Sequence, residues 1–456
     1  MQYFLCREPT MRKPSLLRWL IIACLCSTAF SQPSISSSRA EESDSPDPLV
    51  ARMLAQVQPE AVFANAGTLS GEWPAYVDNA SYTITTRATN SGLPIQKATQ
   101  YVYEHIQAQG LSPEFQDWST TVYRGRNVVG TIPGTTHPDE IVLLTAHLDD
   151  APWSGLAPGL DDNASGSVAV LLAADILSGY RFERTLRFVF FTGEEQGLLG
   201  SKAYAAAARA MNENIVAVCN LDMIAWDLLE GPTLRLHTSG SAADLGIAGT
   251  FTDVVNAYNL NLAPVVEADG ESASDHASFW SQDYPAILAI EDDRDDFNRY
   301  YHSSADRLKY VNLAYFSDFI RAGVGTAAEL AQPVGYAPGP YRARLGPPAV
   351  MRNGDPDETV IYSLQLMNTG SQADTYHLSI ANATWITGFP AEVGPLAAGS
   401  STQVTIAVSI PPGAAAGSAD VAALAIISEG SATQMDAAEL TTVVNWKIMY
   451  LPLVRR

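Results

Sequence analysis

Cysteine is scarce in this chain. There are four in 456 residues, and three of them, Cys6, Cys24 and Cys26, sit in the N-terminal stretch. Only Cys219 remains beyond it, so removal of that stretch leaves no intrachain disulfide. Cys219 lies in the apolar run Ile215 to Leu221 and reads as a buried small hydrophobe. Basic residues are also few: 27 Lys and Arg face 49 Asp and Glu, for a formal charge of −22. A surface of that sign repels phosphates and excludes nucleic acid as a partner. It reads first as a solubility device. There is no Gly-rich phosphate loop and no Gly-x-Ser-x-Gly turn, which removes the case for a nucleotide enzyme or a serine hydrolase. The apolar stretch from Leu16 to Phe30 is short for a membrane span. With Arg12, Lys13 and Arg18 at its start and Ser27-Thr28-Ala29 near its end, it has the layout of a secretory signal. Ile22-Ala23-Cys24 loosely resembles a lipoprotein cleavage site, the alternative being a lipid-anchored or cell-surface protein. No internal repeat stands out.

The length implies two domains. Residues 1–31 read as the signal, and 32–48, rich in Ser, Pro and acids, as a disordered linker. From 49 to 331 helix and strand patterns alternate. Lys97 to Gln109, Ser167 to Leu177, Ser201 to Met211 and Val311 to Leu330 read as helices. Asn127 to Ile132, Ile141 to His147, Leu186 to Phe191, Ile215 to Leu221 and Ala286 to Ile290 read as strands. The expected fold class is α/β, with a mostly parallel central sheet flanked by helices. Texture then changes. Residues 332–340 carry Pro333, Pro338 and Pro340 and read as a Pro-rich linker. Residues 341–446 show short alternating strands, such as Val404, Ile406, Val408 and Ile410, with turns at Asn368-Thr369-Gly370 and Pro411-Pro412-Gly413. They read as an all-β sandwich. The tail 447–456 is a last strand or a surface-sorting segment.

Five acidic and histidine motifs run through the first domain: His147-Leu148-Asp149, Asp161-Asp162-Asn163, Glu194-Glu195, Asp222 and His302. A single His or Asp at a strand end is usually structural, so the argument rests on the set. In an open α/β sheet, ligands gather beyond the carboxyl ends of strands, and His147, Glu194, Glu195 and Asp222 fall there. His147 and Asp149 are two apart, so continued strand geometry points both the same way. Asp149 suits a hydrogen bond to the imidazole nitrogen that does not bind metal. Asp161 or Asp162 reads as a helix N-cap or as a metal ligand. Glu194 and Glu195 are adjacent and diverge, so one can bind metal while the other takes a proton from metal-bound water. Two imidazoles with several carboxylates suit zinc better than calcium or magnesium, with Co2+ or Mn2+ as substitutes.

As an ordered set, HLDD, GLDDNASG, FTGEEQGLLGS, NLDM, SDHASF and YHSSAD resemble the co-catalytic di-zinc aminopeptidases of the secreted bacterial leucyl-aminopeptidase type. The resemblance covers roughly residues 50 to 330. It implies two Zn2+ per chain, one on His147 and Asp222, the other on Glu195 and His302, with Asp162 bridging. Glu194 would be the general base and Asp149 would orient His147. The implied reaction is attack of a metal-bound hydroxide on a scissile carbonyl, with peptides as substrates and removal of N-terminal residues as the activity. Related activities on the same scaffold are carboxypeptidase and glutaminyl cyclase, and a binding protein that lost catalysis is the non-enzyme alternative. Some relatives carry a Cys-Gly-Tyr-Ala-Cys loop where this chain has Asp269-Gly270-Glu271-Ser272-Ala273. Tyr301, beside His302, is the expected oxyanion donor in place of that tyrosine, with aromatic packing as its other reading. Among the acids Glu291, Asp292, Asp293, Asp295 and Asp296, Glu291 is the expected contact for a substrate ammonium and the rest read as a solvated loop. His276 is expected to be structural. The tail from Gly339 to Val444 resembles the Ig-like modules found after secreted hydrolases, which suit contact with a cell surface or polymer. After signal removal no membrane span remains, and the expected location is extracellular.

Overall fold

A computed structural model describes residues 46–445, apart from 152–155, 157, 230, 338, 348 and 432–434. The signal segment, most of the first linker and the C-terminal tail lie outside the described residues. An eight-stranded sheet forms the frame of the first domain. Its spatial order is Ala263–Glu267, Thr233–His237, Ala286–Glu291, Asn214–Leu221, His137–His147, Arg184–Phe191, Arg124–Ile132 and Glu114–Ser119. The strand ending at His147 is central and runs parallel to both neighbours, as an almost continuously apolar strand does when helices cover both faces. The pairing of Asn214–Leu221 with Ala286–Glu291 is also parallel. Outside these four strands direction reverses: Thr233–His237 runs antiparallel to Ala286–Glu291, and the Arg124–Ile132 and Glu114–Ser119 strands form an antiparallel edge. The sheet is therefore mixed: the four central strands are parallel, and the outer strands Ala263–Glu267 and Thr233–His237 are parallel to each other.

Helices pack on both faces. Gly166–Leu177 is buried along its whole length, and Leu313–Ala331 buries most of its surface against the same core. The strands Thr233–His237 and Ala263–Glu267 and the helix Ala242–Ala257 escape the sequence patterns. Gly246 and Gly249 weaken the helical signal of that segment, and Ala263–Glu267 is a half-exposed edge strand carrying Pro264.

The second domain consists of a four-stranded and a five-stranded sheet enclosing one apolar core. Thr359–Asn368 alternates between exposed and buried residues along most of its length, and Val404, Ile406 and Val408 point inward together. The segment expected to be a linker is partly a strand. Pro333–Tyr336 pairs antiparallel with Tyr180–Phe182. A proline opening an edge strand removes no ladder bond that the sheet needs, so Pro333 is compatible with pairing. Further ties join the domains. Arg344 bonds to the Ser178 hydroxyl and the Gln109 side chain, and Ala349 belongs to the core of the first domain.

Candidate metal centre

The central strand delivers His147, fully buried, to the carboxyl edge of the sheet. Ser167 on the buried helix donates to the His147 carbonyl at 2.8 Å and fixes the strand end. Asp162 comes from the tight turn Leu160–Ser165 that precedes this helix. Asn163 ties that turn down: its Oδ1 accepts from Gly166 N at 2.8 Å, and its Nδ2 donates to Leu221 O at 3.0 Å. The capping role expected for Asp161 or Asp162 thus falls to Asn163. Gly166 is required here, because a Cβ would lie 2.3 Å from the Leu221 carbonyl oxygen. Asp306 accepts from the backbone N–H of both Asp161 and Asp162, at 3.0 and 3.1 Å.

The five expected ligands converge. His147 Nε2 lies 3.3 Å from Asp162 Oδ1 and 3.2 Å from Asp222 Oδ1. His302 Nε2 lies 3.0 Å from Asp162 Oδ2 and 3.0 Å from Glu195 Oε2. One carboxylate, Asp162, therefore faces both imidazoles, a different oxygen towards each. Among the described residues three ligand-competent groups form: His147 with Asp162 and Asp222, Asp162 with Glu195 and His302, and His147 with Glu194 and Glu195. Buried Glu195 Oε1 has no hydrogen-bond partner among the described residues. Such an orphan in an acid-rich site is satisfied by a cation.

Electrostatics point the same way. Burial pushes the Glu194 carboxyl well above the usual carboxylate range, reinforced by the charges of Asp275, Asp222 and Glu195 against the pull of His147. Burial, then the Asp162 charge, pushes Glu195 up to about 8. Burial would raise Asp162 as well, but hydrogen bonds from His147 and His302 outweigh it and hold that carboxyl below the ordinary range. Burial works against a charged His302, yet its bonds to Asp162 and Glu195 raise it to about 9. His147 is likewise raised against burial, chiefly by Asp222. The raised imidazoles and buried acids offset one another. A divalent ion bound here would take the place of those protons, and two imidazoles with carboxylates are a donor set that fits zinc.

Asp149 is placed differently in detail from the sequence expectation. His147 Nδ1 approaches the Asp149 carbonyl oxygen at 3.1 Å, while the nearest carboxylate oxygen is 3.8 Å away. The carboxylate instead accepts from Glu194 N, Glu195 N and the Thr89 hydroxyl, at 3.3, 3.4 and 2.8 Å. One buried acid thus positions the imidazole and the Glu pair together. Tyr301 stacks on the His302 ring at 3.7 Å and packs on Met223, Leu288 and Ile290. Glu291 has no exposed surface, and that placement leaves nothing for a substrate ammonium to meet. Its Oε1 accepts from Asn298 N at 2.8 Å, and burial, followed by the nearby Asp161 charge, drives its carboxyl well up. The neighbouring acids are not simply a solvated loop. Asp292 and Asp295 pair with Arg235, and Asp296 accepts from Trp226 Nε1 and the backbone N–H of Leu228 and Leu229. His276 is buried, its Nε2 2.9 Å from the Glu271 carbonyl, and burial lowers it to about 4.

Several supporting residues escape the sequence reading. Ser274 donates to Asp222 Oδ2 at 2.6 Å, and Thr89 holds Asp149. Arg87, fully buried, donates to the carbonyls of Leu148, Leu69, Pro158 and Gly159 at 2.6 to 2.8 Å. It thereby joins the strand end at His147 to the turn that carries Asp162. Ser274 and Asp306 stand inside quoted motifs, which is a usable signal. Arg87 and Thr89 stand in no pattern.

Comparison with known proteins is consistent with this geometry. Residues 127–323 match the sequence model of peptidase family M28. A probable leucine aminopeptidase of Trichophyton verrucosum is 28% identical over 247 residues, covering 52% of this chain and 65% of that protein. Leucine aminopeptidase 1 of Aspergillus fumigatus is 28% identical over 265 residues, covering 54% of this chain and 67% of the relative. The chain thus spans about two thirds of the length of these curated relatives. The crystal structure of the Legionella pneumophila LapA aminopeptidase superposes with a TM-score of 0.53 at 22% identity, over 62% of this chain and 74% of that one. It shows the shared α/β fold.

Proposed function

We propose that this protein is a secreted zinc metallo-aminopeptidase that removes N-terminal residues from peptides and holds two zinc ions per chain. The observation that carries the reading is Asp162, one oxygen towards His147 and the other towards His302, each imidazole with a second carboxylate beside it. In the proposed assignment His147 and Asp222 hold one ion, Glu195 and His302 the other, and Asp162 both. The named activity of the two fungal relatives supports the choice of aminopeptidase.

Bound zinc supplies a lowered pKa for coordinated water and polarises the scissile carbonyl. The chain's own groups do the rest. Glu194, whose backbone N–H is held by Asp149, takes the proton from the attacking water and delivers it to the departing amine. Once cations occupy the site, their charge favours its ionised form, which a base requires. The Tyr301 hydroxyl donates to the carbonyl oxygen as negative charge develops there. Ser274 keeps Asp222 oriented, and Asp149 keeps His147 and the Glu pair in register. The C-terminal sheets serve as a spacing or surface-binding module of Ig-like type. Among the described residues no helix is long and apolar enough to cross a membrane.

The test is hydrolysis by zinc-loaded protein of free-N-terminal, N-blocked and N-terminal-Gln peptides. Cleavage confined to free N-termini is expected. Equal cleavage of blocked peptides contradicts the aminopeptidase reading, and cyclisation of the Gln peptide in place of cleavage assigns the scaffold to the cyclase reaction.

A further inference from the structure

Between the start of the Leu93–Ala108 helix and the hairpin of Glu114–Ser119 and Arg124–Ile132 lies a groove of about 730 Å³. That volume is in the range of sites that enclose small ligands or short peptide segments. The groove borders residues that support the candidate site. Thr89 in its wall holds Asp149, and Thr192 in its wall stands two residues before Glu194. The Thr192 hydroxyl accepts from Trp118 Nε1 at 2.9 Å and donates to the Arg126 carbonyl at 3.0 Å, which fixes the floor to the hairpin. The apolar patch of Met223, Leu288, Ile290 and Tyr301 is at the His302 end of the site.

An enzyme that removes one terminal residue needs a closed end for that residue and an open path for the remaining chain. The groove, whose wall reaches Thr192 two residues before Glu194, is the candidate for such a path. Its charge is unusual for this protein. In a chain of net charge −22, the wall carries Arg124 and Arg126 against Asp117. Arg126 is committed, with Nε on the Thr99 hydroxyl, Nη2 on the Gln96 carbonyl and its guanidinium over the Phe115 ring. Arg124 is exposed and makes no ion pair among the described residues. A guanidinium without a partner suits a carboxylate.

We infer that this groove receives the part of a peptide that follows the scissile bond, and that Arg124 selects a carboxylate there. The inference rests on the aminopeptidase reading and specifies its substrate class. The carboxylate is an acidic side chain of a longer peptide or the C-terminus of a short one.

Four peptides separate these sources: Leu-Gly-Gly-Glu amide, Leu-Gly-Gly-Lys amide, Leu-Gly-Gly amide and Leu-Gly-Gly free acid. Their kcat/KM values are each divided by that for Leu-p-nitroanilide, which has no residue beyond the bond. Wild-type protein is expected to favour the acidic member of a pair by about three- to tenfold, mainly through KM, as a partly exposed ion pair allows. Arg124→Glu is expected to reverse that order. Asn90→Trp, placed at the exposed wall, should narrow the groove and lower the peptide ratios for all four. Preference in the tetrapeptide pair alone assigns the side chain, and preference in the tripeptide pair alone assigns the C-terminus. An order that is the same in wild type and Arg124→Glu overturns the inference. A second readout does not need turnover: calorimetric titration of Leu-Gly-Gly-Glu amide into zinc-loaded Glu194→Gln protein, with and without Arg124→Glu. Weaker binding by a similar factor is expected, and unchanged binding overturns the assignment. Failure of wild type to cleave Leu-p-nitroanilide and all four peptides instead counts against the aminopeptidase reading, while the titration still decides the groove.

Discussion

At the scale of single residues, two side chains that are neighbours in sequence carry different loads. Glu195 faces His302, whereas Glu194 is the proposed general base. Glu194→Gln is therefore expected to keep zinc and lose activity by about 10²–10⁴-fold, as removal of a general base does. Parallel metal analysis and kcat measurement check both halves. His276 gives a pH prediction. Burial depresses it to about 4 from an ordinary 6.5, so the unfolded chain takes up a proton that the folded chain refuses. Its contribution to stability is fully present above pH 6.5 and is lost as the pH falls through about 4, an effect on the order of 3 kcal/mol. His276→Gln should flatten that part of the acid limb in urea unfolding at pH 4 to 7, and an unchanged slope contradicts the burial account. The sequence was most legible at this scale for the residues that converge, because the ordered motifs and their family resemblance named all five positions that the fold brings together. It was least legible for Glu291 and Arg87. An acid at the end of a strand looks available to a substrate until the fold closes over it, and a buried Arg satisfied by four carbonyls leaves no local pattern.

At the scale of elements, the turn Leu160–Ser165 holds the bridging position, and its anchors come from three separate places in the chain. Asp306 receives its backbone N–H groups, and Asp161 accepts from Ala225 N at 2.8 Å. Arg87 donates to Gly159 O at its entrance. Asp306→Ala leaves two buried N–H groups unpaired, and zinc affinity is expected to fall about ten- to hundredfold, read by competition with a chromogenic chelator. Gly166→Ala drives a methyl group onto the Leu221 carbonyl and should cost about 1–3 kcal/mol of stability, visible as a lower Tm. The central strands were readable because a parallel, doubly covered strand is a simple apolar run. The antiparallel edge beyond Ala286–Glu291 was not, since half-exposed strands and a Gly-containing helix blur both periodicities.

At the scale of the whole molecule, the last helix ends at Ala331 and only strands follow among the described residues, yet the two parts are packed together. Pro333–Tyr336 is a strand of the first domain's surface, and Ala349 from the second domain lies in the first domain's core. Truncation after Ala331 exposes that apolar contact. The shortened chain is expected to melt several degrees lower or to aggregate, and a Tm equal to that of the full chain contradicts this joined arrangement. Composition disclosed the two fold types because their periodicities differ, but it could not disclose their contact, which depends on side chains far apart in sequence. The central claim concerns the candidate metal centre of the α/β part: one carboxylate, Asp162, joins two cations. Elemental analysis of the full chain at saturating zinc measures it most directly, with Asp162→Asn beside it. The account predicts two zinc ions per wild-type chain and weakened retention of both in the variant. One zinc ion per wild-type chain at saturation contradicts it.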